Sequence, residues 1–468
     1  MADRRAGLVV ASNRGPLSLR ATSGGRIVAG QAAGGLAPSL ARALEGMDAL
    51  WIAATLDDAE RRAASENATV RTSGGVEVRL VEISPSLLGA AYRVVANGTL
   101  WPLVHGLFDA TYRPVFDRHW HEAWAGYRAY NVAFAEEIAR AADDGATVVV
   151  NDYHLALCGT LLAKARPDLR TIHFSHTPFC GPEELSVLPR EIRRELLQGM
   201  CAFGTTAFHT RRWAESFARC VEDALGAEVN LAVAPLGVDA EELNRVADSD
   251  EVARAREILA ARVGDRRLVF RTDRVEPAKN ILRGFLAFEA MLEDEPTMVD
   301  EVVFAARLYS SRTELPEYVA YRNAIEQVCT RINARFDTAK LPPIDLEIAD
   351  DLDASIAALT VADVLIVNPV RDGMNLVAKE GPVLTRTHAV LGLSVGAGAF
   401  EELGEYALPI EPFDVVGTTE VLRRAIGLDR DERRRRSEHL ARIAARRPPT
   451  VWMREVVERA CVVEDRPD

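Results

Sequence analysis

Two series of short apolar segments alternate with helical segments, and this pattern constrains the fold more than any other feature of the chain. The first series comprises Leu8–Ala11, Leu50–Ala53, Val76–Ile83, Thr147–Val150 and Thr171–Phe174. The second series comprises Arg267–Arg271, Val302–Ala306, Ile344–Ile348, Asp363–Asn368, His388–Ser394 and Ala407–Ile410. Because strands that alternate with helices form parallel, doubly wound sheets, the sequence predicts two Rossmann-like α/β domains.

The segment PLGVD at Pro235–Asp239 separates the two series. A chain of 468 residues with 48% hydrophobic content also exceeds what one core usually supports. We therefore expect a first domain at residues 1–238 and a second at residues 239–450, with a helix in residues 451–468 that crosses back to complete the first domain. Two such domains whose strand ends face a central cleft describe the GT-B fold class.

The loop RDGMNLVAKE at residues 371–380 follows a predicted buried strand. Open α/β sheets bind ligands at the carboxyl ends of their strands. Gly373 permits close backbone approach, and the amides from Asn375 onward can begin a helix whose unpaired N–H groups attract a phosphate. Asp372 and Glu380 flank these donors and can accept hydroxyl groups. An ordinary strand-to-helix loop with a capping aspartate would explain the same residues.

Other predicted strand ends also carry polar side chains. Arg274 and Lys279 lie five residues apart in the loop TDRVEPAKN and can straddle a diphosphate. The remaining candidates at strand ends are Arg14, Asp152, His176 and Arg312. Each residue alone is more simply explained as a surface cation or a structural side chain, but their recurrence at neighbouring strand ends favours a binding site.

Glycines recur between residues 24 and 35, immediately before the helical segment Leu36–Leu44. A flexible loop that leads into a helix N-terminus can cradle a diphosphate. The spacing matches neither GxGxxG nor a Walker sequence, so on its own it favours a flexible surface loop.

The net charge of -13 argues against a general nucleic-acid or anionic-membrane surface. No stretch is apolar for long enough to cross a bilayer, and the N-terminal residues do not match a secretory signal, so we expect a cytoplasmic protein. The six cysteines lack disulfide-framework or zinc spacing. The arginine-rich run 433–447 has helical periodicity and is typical of a solvated helix face.

Three motifs suggest other chemistries. Residues 392–396 match the GxSxG nucleophile elbow, but a serine hydrolase needs a later acid and histidine, and only His439 follows. Asp351 and Asp353 match a metal-binding DxD, and two such acids in a charged loop also occur by chance. His119 and His121 point apart on a helix. We therefore predict no metal and no cofactor.

Taken together, the motifs resemble the trehalose-6-phosphate synthase family, glycosyltransferase family 20, over nearly the whole chain. The matching motifs are SNRGP with a later GGL, LWP at 100–102, DYHL at 152–155, FSHTPF at 174–179, DRVEPAKN at 273–280, SSR at 310–312 and RDGMNLVAKE at 371–380. The resemblance implies a retaining GT-B glycosyltransferase that transfers glucose from a nucleotide-diphosphate-glucose to glucose 6-phosphate, forming α,α-trehalose 6-phosphate.

The resemblance also implies roles for individual residues. The donor-binding residues would be Gly35, His176, Arg274, Lys279, Asp350, Asp372, Asn375, Leu376 and Glu380. The acceptor-binding residues would be Arg14, Tyr92, Trp101, Asp152 and Arg312. The residues closest to the chemistry would be Asp152, His176, Arg274, Lys279 and Asp372.

The chain departs from the family pattern at three places. Asn280 replaces a common glycine and Cys180 a common proline, and we expect both to matter little for the chemistry. The acidic loop 349–353 replaces a more aromatic segment near the expected nucleotide base. A carboxylate at Asp350 can accept the paired N1–H and N2–H of guanine, which predicts use of GDP-glucose at least as good as that of UDP-glucose. Alternatively, Asp350 caps the following helix.

Two alternative functions remain open from the sequence. A relative could use a different phosphorylated acceptor or a cyclitol, or the chain could be a non-catalytic regulatory homologue that senses sugar phosphates. The sequence also leaves open whether the chain forms homo-oligomers.

Overall fold

The computed structural model describes residues 5–21, 27–31, 36–66, 70–72, 74–109, 111–336 and 341–461. The chain divides into two compact units. The first unit comprises Met1–Leu236 and Pro449–Asp468, and the second comprises Gly237–Pro448. The observed boundaries follow residues 236 and 448, two residues before the expected boundaries after residues 238 and 450.

An eight-stranded sheet forms the centre of the first unit, with the order β10-β9-β8-β7-β1-β4-β6-β5. Its strands are β1 (Ala6–Ser12), β4 (Ala49–Ala54), β5 (Val70–Arg71), β6 (Glu77–Val81), β7 (Ala142–Asn151), β8 (Arg170–Ser175), β9 (Thr205–Phe208) and β10 (Leu231–Val233), and a separate hairpin consists of β2 (Leu17–Ala21) and β3 (Ile27–Gln31). All neighbours in the large sheet are parallel except β5 and β6.

The chain changes direction across this sheet at β1. From β1 the strand order runs through β4 to β6 on one side, and β7 then pairs with the other side of β1. The carboxyl ends of β1 and β7 therefore flank a topological switch point, where open α/β sheets bind ligands. Arg14 follows β1 and Asp152 follows β7.

Helices cover both the sheet and its ends in the first unit. Their bounds are Leu36–Ala43, Asp58–Ser65, Pro85–Leu88, Gly89–Leu100 (a π-helix), Trp101–Val104, Arg118–Ala141, Cys158–Ala165, Pro182–Leu185, Arg190–Cys201, Arg211–Leu225 and Pro449–Cys461, with a 3₁₀ turn at Tyr153–Leu155. The final helix belongs to this unit, as the sequence predicted. Its Trp452 is fully buried and donates its indole N–H to the carbonyl oxygen of Ala234 at 2.9 Å.

The second unit contains a six-stranded, wholly parallel sheet with the order β13-β12-β11-β14-β15-β16. The strands are β11 (Arg267–Arg274), β12 (Val302–Tyr309), β13 (Ile344–Ile348), β14 (Val364–Val367), β15 (Val390–Ser394) and β16 (Leu408–Ile410). The strand order reverses between β11 and β14, so the loops after these two strands flank the switch point of this unit.

The sheet of the second unit is buried on both faces. Leu268 and Phe270 of β11 belong to one apolar cluster, whereas Val269 between them belongs to the cluster on the opposite face. The covering helices are Ala240–Ala247, Asp250–Val263, Ile281–Asp294, Met298–Glu301, Pro316–Arg335, Leu352–Val361, Val377–Leu384, Phe400–Leu403, Val415–Gly427 and Arg430–Ala444, with a 3₁₀ turn at Pro277–Lys279.

Every strand predicted from the sequence is present, and five further strands within the described residues were not predicted. These are the hairpin β2–β3 and the strands β5, β9 and β10. The missed strands have two to five residues, as do the predicted strands β13, β14 and β16, so length alone does not explain the difference. β2, β5 and β9 contain polar residues that interrupt an apolar run. None of the helices in the described part of the chain is long and apolar enough to cross a membrane. Free thiols within the described residues include those of Cys158, Cys180, Cys201, Cys220 and Cys329.

Candidate functional site

The two loops at the switch point of the second unit are joined by an ion pair. Lys279 lies in the 3₁₀ turn after β11, and its Nζ lies 2.5 Å from Oδ2 of Asp372, in the loop after β14. The side-chain amide of Asn375 donates to the same oxygen at 3.1 Å. Burial lowers the pKa of Lys279, but the carboxylates of Asp372, Asp273 and Glu276 together outweigh this effect, so the net shift is upward and the ammonium stays charged.

Two arginines of the same unit share one buried carboxylate. Arg274 Nη1 lies 3.2 Å from Oε1 of Glu276, and Arg312 Nη1 donates to that oxygen at 2.8 Å. Burial raises the pKa of Glu276, but the two arginines, together with Lys279 and the hydrogen bond from Ser311, outweigh this effect and hold the pKa at about 2. The sequence analysis missed Glu276, although a carboxylate between Arg274 and Lys279 in one loop is a signal that could have revealed it.

The loop 371–380 runs into a helix slightly later than the sequence suggested. The helix begins at Val377, and Asn375 precedes it in a left-handed conformation with φ 79°. Asn375 Oδ1 accepts the backbone N–H of Ala378 at 3.1 Å. The backbone amides around Leu376 lie at the start of the helix. Burial raises the pKa of Glu380, in the first turn of this helix, to about 7.

Asn280 joins three segments of the second unit. Its side-chain amide donates to the carbonyl oxygens of Asn368 at 3.0 Å and Pro412 at 2.6 Å, and its Oδ1 accepts from Arg283 at 2.8 Å. The backbone of Asn280 is left-handed, with φ 56°. This conformation explains why glycine suits the position, and asparagine tolerates it better than most residues.

A buried arginine supports the same loop from below. Arg271 is fully buried and donates to Asp273 Oδ2 at 2.6 Å and to Asn368 Oδ1 at 3.2 Å. It also donates to the carbonyl oxygen of Lys279 at 3.0 Å. These contacts fix the backbone that carries Lys279, and the sequence analysis did not identify them.

In the first unit, Asp152 and His176 meet at the ends of neighbouring strands. Asp152 follows β7 with φ 66°, and its N–H donates to the carbonyl oxygen of Phe174 at 2.8 Å. The Asp152 Oδ1 atom accepts the backbone N–H of His176 at 2.7 Å. A left-handed aspartate costs about 1–3 kcal/mol and is retained where the surroundings over-determine it, as they do at many functional sites.

The ring of His176 belongs to a partly buried hydrogen-bonded chain. Its Nε2 lies 2.9 Å from Asn151 Oδ1, and its Nδ1 lies 3.0 Å from His209 Nε2. Because the Asn151 amide nitrogen donates to Ala11 at 3.0 Å, its oxygen accepts, and His176 must carry its proton on Nε2. Burial, with His209 and His173 nearby, holds the pKa of His176 well below its usual value. The ring is therefore neutral, and a sugar hydroxyl would have to replace one of these two partners.

The other acceptor candidates of the first unit differ in accessibility. Tyr92 is partly exposed and stacks on His154, with ring centroids 5.7 Å apart. Trp101 is only 4% exposed and stacks on His105 at 4.1 Å. Arg14 is exposed in the turn after β1. Gly35 lies outside the described residues.

Asp350 is exposed after β13, and the next residue, Asp351, caps the helix that follows. Asp351 Oδ1 accepts the N–H of Ala354 at 2.8 Å, so the alternative in which Asp350 caps this helix is wrong. Asp351 thereby has a structural role within the DxD sequence.

Among the described residues, no group of three or more His, Cys, Asp or Glu side chains could hold a metal ion. Ser394 of the GxSxG sequence is fully buried and accepts the N–H of Gly396 at 2.9 Å.

The model of glycosyltransferase family 20 matches residues 6–461. A bifunctional trehalose-6-phosphate synthase/phosphatase from Thermoproteus tenax is 32% identical over 92% of this chain and 60% of its own length. A UDP-forming alpha,alpha-trehalose-phosphate synthase from Arabidopsis thaliana is 31% identical over 74% of this chain and 38% of its own. A trehalose-6-phosphate synthase from Mycobacterium sp. (strain JLS) is 30% identical over 97% of both chains. The chain thus spans less than two thirds of the first two relatives.

Solved structures show the same architecture. A UDP-forming alpha,alpha-trehalose-phosphate synthase from Burkholderia xenovorans in complex with glucose-6-phosphate has a TM-score of 0.84, with 26% identity over 97% of this chain and 99% of its own. An E. coli structure bound with UDP-2-fluoro glucose has a TM-score of 0.83, with 25% identity over 98% of this chain and 100% of its own. These similarities confirm the predicted GT-B fold class. Because the family model extends over almost the whole chain, this protein belongs to glycosyltransferase family 20.

Proposed function

We propose that this chain transfers glucose from a nucleotide-diphosphate-glucose to glucose 6-phosphate, forming α,α-trehalose 6-phosphate with retention of configuration. The observation that carries the proposal is the charge arrangement of the second unit, where Lys279 and Arg274 lie in one loop and are each oriented by a carboxylate. The relatives named as trehalose-6-phosphate synthases support the choice of substrates.

The protein's main contribution is electrostatic. As the bond from the anomeric carbon to the diphosphate oxygen breaks, negative charge builds on the leaving diphosphate. Arg274, Lys279 and the amides around Leu376 supply fixed positive charge and hydrogen-bond donors for that group, and they need no rearrangement during the reaction. The acceptor hydroxyl attacks from the face that the diphosphate leaves, and a phosphate oxygen takes its proton. This route requires no protein nucleophile.

Carboxylates of the second unit hold the rest of the donor. Asp372 both orients Lys279 and accepts hydroxyls of the donor glucose. Glu380 accepts the ribose hydroxyls, which would give its buried carboxylate the partners that favour ionisation. Asp350, exposed after β13, reads the nucleotide base.

Residues of the first unit bind the sugars. Tyr92 and Trp101 contact the acceptor glucose, and Arg14 contacts its phosphate. Asp152 holds the backbone of His176 and accepts sugar hydroxyls with its remaining lone pairs. Arg312, in the second unit, is assigned to the acceptor phosphate.

Product analysis tests the proposal. Incubation with glucose 6-phosphate and either UDP-glucose or GDP-glucose should give a phosphorylated non-reducing disaccharide, and NMR of the dephosphorylated product should show a single α-anomeric carbon signal, because the two glucose units of α,α-trehalose are equivalent. The absence of a phosphorylated disaccharide with both donors would overturn the proposal.

A single substitution separates an enzyme from a sugar-phosphate sensor. Arg274→Ala should lower kcat by orders of magnitude, because a contact to the leaving diphosphate strengthens in the transition state. Arg331→Ala, which removes a half-exposed arginine paired with Glu289, is the control and should leave kcat unchanged. A loss of ligand affinity in Arg274→Ala, without any wild-type turnover, would instead identify a binding protein.

A further inference from the structure

We infer that Glu276 is a positioning residue that holds Arg274 and Arg312 in one fixed arrangement, so that the groups proposed for the two substrate phosphates are oriented together. The inference rests on the proposed function for the identity of the ligands. Its geometric basis lies wholly within the second unit.

All the donors to Glu276 converge on one oxygen atom. Oε1 lies 3.2 Å from Arg274 Nη1 and accepts from Arg312 Nη1 at 2.8 Å and from Ser311 Oγ at 3.0 Å. The side chain is 1% exposed, and Oε2 is buried without a hydrogen-bond partner in the described part of the chain. A buried carboxylate with three donors on one oxygen has little freedom to turn, so it sets the position of both guanidinium groups.

The carboxylate also joins two loops. Arg274 is the last residue of β11 and Glu276 follows it, whereas Ser311 and Arg312 follow β12, the parallel neighbour of β11. Arg312 has φ 43°, a left-handed conformation that costs a non-glycine residue about 1–3 kcal/mol. Its Nη1 also donates to Tyr318 Oη at 2.7 Å. The contacts to Glu276 and Tyr318 therefore keep Arg312 in a conformation that its backbone alone disfavours.

Two interpretations of Glu276 make opposite predictions. If Glu276 only neutralises positive charge, its removal would leave two unopposed arginines and tighten the binding of anions. If Glu276 positions the arginines, its removal lets two like charges move apart and misaligns both. Misplacement of a binding group by about 1 Å can cost a factor of about 100 in rate.

The test uses Glu276→Gln in the full chain. Glutamine keeps an oxygen for the three donors but removes the charge and places an amide nitrogen where Oε2 has no partner. We expect affinities for UDP and for glucose 6-phosphate, each measured alone by calorimetry, to fall at least about 10-fold, and kcat to fall about 10- to 100-fold. Glu276→Asp, which retains the charge on a shorter stem, should regain part of both losses.

Glu289→Gln is a matched control. Glu289 is also a buried carboxylate shared by two arginines, Arg331 and Arg335, in the same unit, but it lies on the helix Ile281–Asp294 away from the switch-point loops. Its substitution should cost comparable stability and leave both affinities and kcat unchanged.

The outcomes separate the inference from the proposed function. Tighter or unchanged binding of UDP and glucose 6-phosphate in Glu276→Gln, or equal losses in Glu289→Gln, would overturn the positioning role. If Glu276→Gln does not fold, the inference is judged on Glu276→Asp, where full wild-type affinity and kcat would refute it. A wild-type protein that binds both ligands but forms no disaccharide would refute the proposed function, while the affinity comparison would still decide the role of Glu276.

Discussion

Substitution of Asp372 by alanine should destabilise the free protein and make it unusually responsive to UDP. The carboxylate lies 2.5 Å from Lys279 Nζ, and the two side chains are only 17% and 13% exposed. Removal of one partner from a buried pair costs about 3–5 kcal/mol, and partial exposure reduces this to about 2–3 kcal/mol. For a cooperative unit of about 200 residues, each kcal/mol shifts Tm by about 2–4 °C, so Tm should fall by about 4–12 °C.

UDP should restore much of this loss, because its diphosphate supplies the negative charge that Lys279 has lost. Differential scanning calorimetry should therefore show a larger UDP-dependent rise of Tm in Asp372→Ala than in the wild type. Asp345→Ala is the control, since Asp345 forms a comparably buried pair with Arg307 Nη2 at 2.6 Å in the same unit. This variant should lose similar stability without any added response to UDP. Equal UDP shifts in all three proteins would refute the assignment of Lys279 to the diphosphate.

Three further predictions follow from individual side chains. If Asp350 reads the base, the wild type should use GDP-glucose at least as well as UDP-glucose, and Asp350→Ala should collapse the ratio of the two kcat/KM values. Asp351→Ala should cost about 1 kcal/mol in helix capping and leave that ratio unchanged, and a strong wild-type preference for UDP-glucose would contradict the assignment. Arg312→Ala should raise KM for glucose 6-phosphate far more than KM for the donor, and equal effects in steady-state kinetics would remove its acceptor role. Burial raises the pKa of Glu380 from about 4.5 to about 7, so between these pH values the folded protein holds a proton that the unfolded chain releases. The stability that this proton contributes is lost as pH rises between those values. Glu380→Gln should thus gain up to about 3 kcal/mol over the wild type by pH 8 in urea denaturation while weakening donor binding, and a gain that does not change with pH would show that the carboxylate is not the cause.

The site residues that could be predicted from the sequence lie at the ends of strands. Arg274 ends a buried strand, Lys279 and Asp372 follow buried strands, and parallel pairing necessarily brings such positions to one edge of the sheet. The motif resemblance then supplied roles that neither periodicity nor spacing could supply. Within the second unit, Lys279 and Asp372 lie in direct contact, and their roles toward a ligand stay predictions.

The supporting residues could not be predicted in the same way. Arg271 lies inside a strand, where its charge argues against burial until Asp273 and Asn368 are known to surround it. His209 follows β9, whose sequence TTAF lacks a continuous apolar run, so its bond to His176 was also missed. The contacts of Arg271 with Asn368 and of His176 with His209 depend on the order of strands in the sheet, which residue patterns in one sequence do not give.

The final helix has a consequence for the biosynthesis of the chain. Trp452 packs against Phe174 and His176, with ring centroids 4.9 Å and 5.8 Å away, yet more than 200 residues separate it from the rest of the first unit. At about 5–20 residues per second, a ribosome needs roughly 10–40 s to make the intervening second unit. The second unit is continuous in sequence and can fold before the first unit is complete. The surface around His176 stays uncovered until Trp452 has been synthesised. A truncation before residue 449 should therefore expose the aromatic surface to aggregation or chaperone binding, even though the sheet strands of both units would be complete.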